Sequence, residues 1–264
     1  TSASQSYTYE CYPSFPNSAL DENTSNDTFT INQTYHPLTP VSASNLDPNY
    51  CIDQSLVTLT ATPSGGSFSG NGVSGNSFDP SLAGVGYTEV VYTYMDSMAC
   101  PSYDTIFTNI LPLPVVSIST NLDSQYCANE PIVNLFAYPA GGSFSGIGVN
   151  MNTLDVSQGA VGPRDIIYTY SDGNACSNSD TISTIVKAVP SVNITTSLNA
   201  GYCQSASGLT ISATPSGGLF SGAITSNYVD PSSLNSGYQN IIYTYTDGNG
   251  CINSDATGTN VYPA

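Results

Sequence analysis

Residues 61–70 read ATPSGGSFSG, residues 137–146 read AYPAGGSFSG and residues 213–222 read ATPSGGLFSG. Each phrase is followed at a constant distance by a second one: VVYTY from Val90, IIYTY from Ile166 and IIYTY from Ile241. Whole phrases returning at a fixed period mark an array of like units, each one supersecondary building block. The cysteines keep the same beat. Cys51, Cys127 and Cys203 stand 76 residues apart, and Cys100, Cys176 and Cys251 follow at 76 and 75. The period divides the chain into an odd N-terminal segment, 1–40, and three repeats: repeat 1 (41–113), repeat 2 (114–189) and repeat 3 (190–264).

Within each repeat the hydrophobic period is two. Val57, Leu59 and Ala61 alternate with polar or smaller neighbours, as do Val133, Leu135 and Ala137, and Leu209, Ile211 and Ala213. This alternation predicts half-buried strands. In the second phrase Val90, Tyr92 and Tyr94 share one face, matched by Ile166, Tyr168 and Tyr170 and by Ile241, Tyr243 and Tyr245, and the tyrosine face is assigned to the core. Asp172-Gly173-Asn174 and Asp247-Gly248-Asn249 follow these strands and predict hairpin turns, because Asp, Asn and Gly tolerate positive φ. Short strands with turns every 8 to 12 residues predict an all-β fold of three tandem antiparallel sandwiches.

A repeat of about 75 residues is small for a self-sufficient core, so a covalent staple is expected. Pairing Cys51 with Cys100, Cys127 with Cys176 and Cys203 with Cys251 would give each repeat one disulfide. Each would close a loop of about 50 residues, worth roughly 4 kcal/mol by chain entropy. Zinc is the rival reading, but no short Cys-x-x-Cys spacing occurs and His36 is the single histidine. Disulfides imply an oxidising compartment.

Taken together, GGSFSG, Asn71-Gly72-Val73, Phe78-Asp79-Pro80, Ala83-Gly84-Val85-Gly86, VVYTY and Cys100 resemble the tandem immunoglobulin-like repeats of secreted surface proteins and adhesins of Bacteroidota. The resemblance covers about 220 residues. It implies an immunoglobulin-like sandwich in an extracellular stalk, adhesin or filament, exported to the cell surface and often carrying a C-terminal sorting domain.

The N-terminal segment matches only the end of a repeat. Tyr7-Thr8-Tyr9, Cys11 and Asp27-Thr28-Phe29-Thr30-Ile31 align with the last two strands of a repeat, as in Asp104-Thr105-Ile106 and Asp180-Thr181-Ile182, with a Pro/Asn/Ser-rich stretch over 12–26 between them. Two strands alone are marginal in water. Their open edges and an apolar face carrying Tyr7, Tyr9, Phe29 and Ile31 suit completion by a neighbouring copy; docking on the first repeat, or an array continuing upstream, would satisfy them equally. Cys11, the odd seventh cysteine, is unpaired or intermolecular on the same argument.

Composition narrows the function classes. Two basic residues against 19 acidic ones give a net charge of -17, which cannot neutralise phosphates, so nucleic acid and anionic membrane surfaces are poor partners. No apolar run approaches the ~18 residues that cross a bilayer, and the N-terminus has no basic-then-apolar leader, which predicts a mature, soluble chain. One His, one Lys and one Arg leave little for catalysis. His36, in the Tyr35-His36-Pro37 linker, reads as a surface residue, and Arg164 and Lys187 as local packing. With Lys187 alone, repeated Lys–Asn isopeptide staples are excluded. The chain is therefore read as no enzyme.

No cofactor is expected. Asp47 and Asp123, with Asp79, Asp155 and Asp230, recur at places where calcium could collect, but an Asp before Pro or Gly more often forms a turn. Candidate glycosylation sites are the sequons at Asn23, Asn26, Asn32 and Asn193. From the Bacteroidota resemblance come O-linked candidates at an Asp followed by Ser or Thr and an aliphatic residue: Ser97, Thr105 and Thr181, with Thr28 at the matching place near the N-terminus. The 19 tyrosines supply stacking surface, but those at fixed strand positions read as core, and no exposed aromatic cluster is evident.

Repetition without a unique site favours a structural subunit of an extracellular filament or stalk, joined to other copies of itself and carrying covalent glycans. An adhesin or accessory module, binding glycans or host surfaces through sandwich loops, is the alternative.

Overall fold

The computed structural model describes the backbone of residues 5–11 and 29–264, with side chains from 36 onward. The chain divides into two compact units, Thr1–Leu113 and Pro114–Ala264. Repeat 1 lies in the first unit, and repeats 2 and 3 together form the second.

Each repeat is built around a long hairpin: Gly86–Met95 with Pro101–Leu111, Gly162–Ser171 with Ser177–Lys187, and Gly237–Thr246 with Ile252–Tyr262. Two short strands complete a four-stranded sheet. The GGxFSG strand (Ser67–Gly70, Ser143–Ser145 or Leu219–Gly222) pairs antiparallel with the first hairpin strand. The strand ending in the first cysteine (Asn49–Cys51, Gln125–Cys127 or Gly201–Cys203) pairs with the second, and this one pairing is parallel. Short ladders such as Ser42–Ser44 with Thr60–Thr62 and Val57–Thr58 with Ser77–Phe78 supply the facing layer. The fold is thus an all-β array of immunoglobulin-like sandwiches.

The period-two pattern becomes the core. Leu59, Phe78, Val90 and Ile110 fill repeat 1, Leu135, Leu154, Ile166 and Val186 repeat 2, and Ile211, Val229, Ile241 and Val261 repeat 3. The first tyrosine of each YTY phrase is buried with its ring against the phenylalanine of the GGxFSG strand. Centroid separations are 4.7 Å for Tyr92 and Phe68, 4.6 Å for Tyr168 and Phe144, and 4.8 Å for Tyr243 and Phe220. Burying a phenol demands partners for its hydroxyl. Tyr168 Oη donates to the Pro139 carbonyl at 2.6 Å and accepts from the Gly142 N–H at 2.7 Å, and Tyr92 and Tyr243 do the same with Pro63 and Gly66 and with Pro215 and Gly218. A Cβ on Gly142 would lie 2.6 Å from Tyr168 Cζ and 2.3 Å from the Thr169 carbonyl. The Gly-Gly pair of the repeat phrase is a lid for this tyrosine.

The hairpin loops fall where the sequence puts them, but they close by a different device. The left-handed residue is the fourth of five, Ala99, Ala175 or Gly250, with φ of 59°, 65° and 86°. The loop aspartate acts through its carboxylate: Asp172 Oδ1 accepts from the N–H groups of Asn174 and Cys176, both at 2.9 Å, while the Asp172 N–H bonds the Cys176 carbonyl at 2.9 Å.

Residues 5–11 and 29–35 form the expected N-terminal hairpin as a two-stranded sheet of their own. Its register differs from that of a repeat. Tyr7 pairs with Gln33, whereas in repeat 2 the matching Tyr168 pairs with Asp180.

Candidate functional site: the cysteine-bearing ends of the repeats

The expected disulfides within repeats do not form, and the topology gives the reason. Cys127 closes the short parallel strand in register with Lys187, the last residue of the second hairpin strand, whereas Cys176 immediately precedes Ser177, its first residue. Ten residues of extended chain separate these levels, roughly 33 Å at about 3.3 Å per residue. A disulfide bridges Cα atoms no more than about 7 Å apart. The same holds for Cys51, level with Leu111, against Cys100 beside Pro101, and for Cys203, level with Tyr262, against Cys251 beside Ile252. Each repeat therefore carries its two cysteines at opposite ends.

What forms instead is a joint between repeats. Cys127 of repeat 2 is disulfide-bonded to Cys251 of repeat 3 across 124 residues, with Cα atoms 5.5 Å apart. Cys51 and Cys176 each take part in a disulfide as well. Cys100, half-buried, and Cys203, exposed, carry free thiols. Two amides bracket the joint: Gln125 Nε2 donates to the Asn249 carbonyl at 3.1 Å, and Asn129 Nδ2 to the Ile252 carbonyl at 3.0 Å. Both are side chains of repeat 2 reaching backbone acceptors of repeat 3.

Each half of the joint is preorganised within its own repeat. The first cysteine sits in a tight turn, where the Cys127 N–H donates to Glu130 Oε1 at 2.8 Å, the Glu130 N–H returns to the Cys127 carbonyl at 3.0 Å, and the Ala128 N–H continues the ladder to Lys187. The second cysteine is presented by the Asp-closed loop. Asp247 Oδ1 accepts from Asn249 N at 2.8 Å and Cys251 N at 2.9 Å, and the N–H of Cys251 holds the Asp247 carboxyl below its ordinary range.

The other candidates have plainer roles. Asp79, Asp155 and Asp230 cap a turn, each accepting the N–H and hydroxyl of the serine two residues on. Asp47, Asp123 and Asn199 donate their N–H to the hydroxyls of Tyr50, Tyr126 and Tyr202. Among the described residues no three or more His, Cys, Asp or Glu side chains gather as a metal site. Arg164 is buried, with its guanidinium donating to the carbonyls of Asp155 and Ala160 at 3.4 and 3.2 Å. His36 is exposed and Lys187 half-buried.

Of the proposed O-linked positions, Ser97 and Thr181 are exposed and Thr105 half-buried; Asn193 is exposed. The aspartates before two of them serve as struts between layers. Asp104 Oδ2 accepts from Ala43 N at 2.7 Å, and Asp180 Oδ2 from Ile118 N at 2.8 Å. Repeat 3 keeps this strut in Asp255, which accepts from Ile194 N, although Ala256 replaces the threonine. Asn23, Asn26 and Thr28 lie outside the described residues, as do the side chains of Tyr7, Tyr9, Cys11, Phe29, Ile31 and Asn32.

One surface feature escaped the sequence reading. On the outer face of the repeat 1 sheet, Tyr103 and Phe107 are exposed four residues apart, and Tyr87 lies diagonally across from Phe107 in the register. Ser179 and Ser183 hold the two strand positions in repeat 2, and Ser254 and Gly258 in repeat 3. Comparing the three repeats column by column, rather than searching for aromatic clusters along the chain, would have exposed it.

No protein-family model matches the chain, and no curated protein does. Solved structures are similar to it. A Ca2+-stabilized adhesin that helps an Antarctic bacterium reach out and bind ice aligns over 90% of this chain and 80% of its own, at 13% identity and a TM-score of 0.32. The insect immune protein hemolin aligns over 84% and 71%, at 11% identity and a TM-score of 0.31. Drosophila N-cadherin EC1-4 aligns over 92% and 81%, at 13% identity and a TM-score of 0.27. Among the described residues no helix is long and apolar enough to cross a membrane.

Proposed function

We propose that this chain is a structural subunit of an extracellular, cell-surface filament or stalk, assembled head to tail from copies of itself and carrying covalent glycans. The observation that carries the reading is the Cys127–Cys251 joint. It is spent on fastening the end of one sandwich to the opposite end of the next rather than on any single core, which suits a load-bearing string of beads. Disulfides favour an oxidising compartment for such a string. The low count of Lys and Arg leaves few tryptic sites, in keeping with life outside the cell. In this reading the hairpin of 1–40 gains strands from a neighbouring copy, glycans attach at exposed positions such as Ser97 and Thr181, and the protein does its work without a catalytic centre or a cofactor.

Negative-stain electron microscopy of the purified full chain in non-reducing buffer tests this. Filaments with an axial period set by whole chains are expected; isolated rods at all concentrations would overturn it.

The aromatic strip of Tyr87, Tyr103 and Phe107 favours a second reading, an adhesin or accessory module that stacks sugar rings on repeat 1. Binding on a glycan array that is lost in a Tyr103→Ser/Phe107→Ser variant would support it; unchanged binding, or none, would remove it.

A further inference from the structure

We infer that Cys203 of one copy and Cys100 of the next form an intermolecular disulfide equivalent to the internal Cys127–Cys251 joint, so that successive copies are covalently linked. The inference rests on the filament reading and names its seam.

The argument is one of register. The internal joint takes the first cysteine of one repeat and the second cysteine of another. The two free thiols among the described residues are one of each kind: Cys203 is the first cysteine of repeat 3, and Cys100 the second cysteine of repeat 1.

The backbone around each is held as it is around its bonded counterpart. The Gln204 N–H reaches the Tyr262 carbonyl at 2.9 Å and the Ala206 N–H the Cys203 carbonyl at 2.9 Å, as Ala128 and Glu130 do around Cys127. Asp96 Oδ1 accepts from the N–H groups of Met98 and Cys100, both at 2.9 Å, as Asp247 does around Cys251. The backbone part of the preorganisation that makes the internal joint is thus present in both halves while the thiols stand free, although Ala206 stands where Glu130 takes the Cys127 N–H. The backbone acceptors are also in place, since Met98 and Pro101 offer the carbonyls that Asn249 and Ile252 offer inside the chain.

A difference in the clamping side chains gives the seam its own character. The amides of Gln125 and Asn129 have no counterpart on repeat 3, where Gly201 and Ser205 stand at those positions. The seam between copies then lacks the two clamping hydrogen bonds and depends on its sulfur–sulfur bond, so reduction separates copies more readily than it opens the internal joint.

The chemistry is thiol–disulfide exchange. The Cys203 thiolate attacks a small disulfide such as oxidised glutathione, forming a mixed disulfide and releasing one thiolate. The Cys100 thiolate of a second copy then attacks the Cys203 sulfur and expels the second. Two protein thiols are oxidised and one small disulfide is reduced to two thiols, the protons given up by Cys203 and Cys100 ending on the two expelled thiolates.

The test uses two full-length variants in a Cys11→Ser background, one carrying Cys100→Ser and the other Cys203→Ser, incubated with a glutathione redox buffer and resolved by non-reducing electrophoresis. Each alone should remain at monomer mass, their mixture should give a species of twice that mass and nothing longer, and the Cys11→Ser chain with both thiols should give a ladder. Reductant should collapse every band. Retention of the Cys127–Cys251 peptide on mass mapping verifies that both variants fold. A mixture that stays monomeric, a disulfide-linked dimer from either variant alone, or mapping of Cys203 to Cys11 in the unsubstituted chain would overturn the proposal. Microscopy of the same samples separates the two claims: filaments without the linked dimer refute the seam and spare the filament, and linked dimer without filaments does the reverse.

Discussion

Cys127 and Cys176 belong to one repeat yet stand at opposite ends of its longest strand, the first level with Lys187 and the second beside Ser177. No rearrangement short of unfolding the sheet brings them together. Non-reducing peptide mapping is therefore expected to recover Cys127 linked to Cys251, and a Cys127–Cys176 peptide would refute the topology. A Cys127→Ser/Cys251→Ser variant should keep three folded sandwiches. It should lose up to about 5 kcal/mol from the unfolding of 114–264, the chain-entropy value for a loop beyond about 100 residues. Denaturant unfolding followed by tyrosine fluorescence measures the loss.

The tyrosine lid predicts two costs of different origin. Tyr168→Phe removes the hydroxyl between the Pro139 carbonyl and the Gly142 N–H and leaves both half-buried groups unmatched, a loss of about 1–3 kcal/mol. Gly142→Ala drives a methyl into the Tyr168 ring and the Thr169 carbonyl, whereas Gly141, at φ of +102°, has open space around it. Alanine at 141 should cost about 1 kcal/mol in backbone strain, and alanine at 142 distinctly more because the sheet must shift. Equal melting temperatures for the two glycine variants would contradict this account.

How legible all this was from the sequence follows from what each signal encodes. The all-β sandwich could be read because alternation at Leu59, Leu135 and Ile211 and the YTY phrase report burial directly, and burial decides strands. The cysteine partners could not, because spacing along the chain says nothing of level along a strand; the parallel pairing of Gln125–Cys127 with the far end of its partner is a tertiary fact. The hairpin loops were legible as loops through Asp172 and Asp247, while the device was misread: a carboxylate gathering N–H groups and a left-handed Ala175, rather than a left-handed Gly173. Gln125 and Asn129 carry no signal alone, since exposed amides are common and only the neighbouring repeat gives them a purpose.

The repeats also supply their own control for a buried threonine. Thr184 and Thr259 donate to the carbonyls of Asp123 and Asn199, each at 2.8 Å. Thr108, equally buried at the matching place in repeat 1, has no partner for its Oγ1 among the described residues. Replacing an unsatisfied hydroxyl with a methyl relieves a desolvation penalty, while replacing a bonded one strands its acceptor. Thr108→Val should therefore stabilise by about 1 kcal/mol and Thr184→Val destabilise by about the same amount, read from urea midpoints at unchanged m-values.

The last prediction concerns acid and the loop that presents Cys251. The N–H of Cys251 is the largest influence holding the Asp247 carboxyl low, with Asn249 adding to it. A carboxyl whose folded pKa lies below its unfolded value near 3.9 contributes stability that is fully present above that value and is lost as pH falls through the folded pKa. On titration from pH 6 to pH 2 the Asp247 side-chain carbon should show a midpoint below about 3.9, and the amide resonances of Asn249 and Cys251 should shift with the same midpoint. Asp247→Asn keeps the Oδ1 acceptor and removes the charge, so the loop should survive while the acid-dependent shift of the Cys251 amide disappears. A midpoint at or above the ordinary value, or a Cys251 amide indifferent to Asp247, would mean that the loop is held by its backbone turn alone.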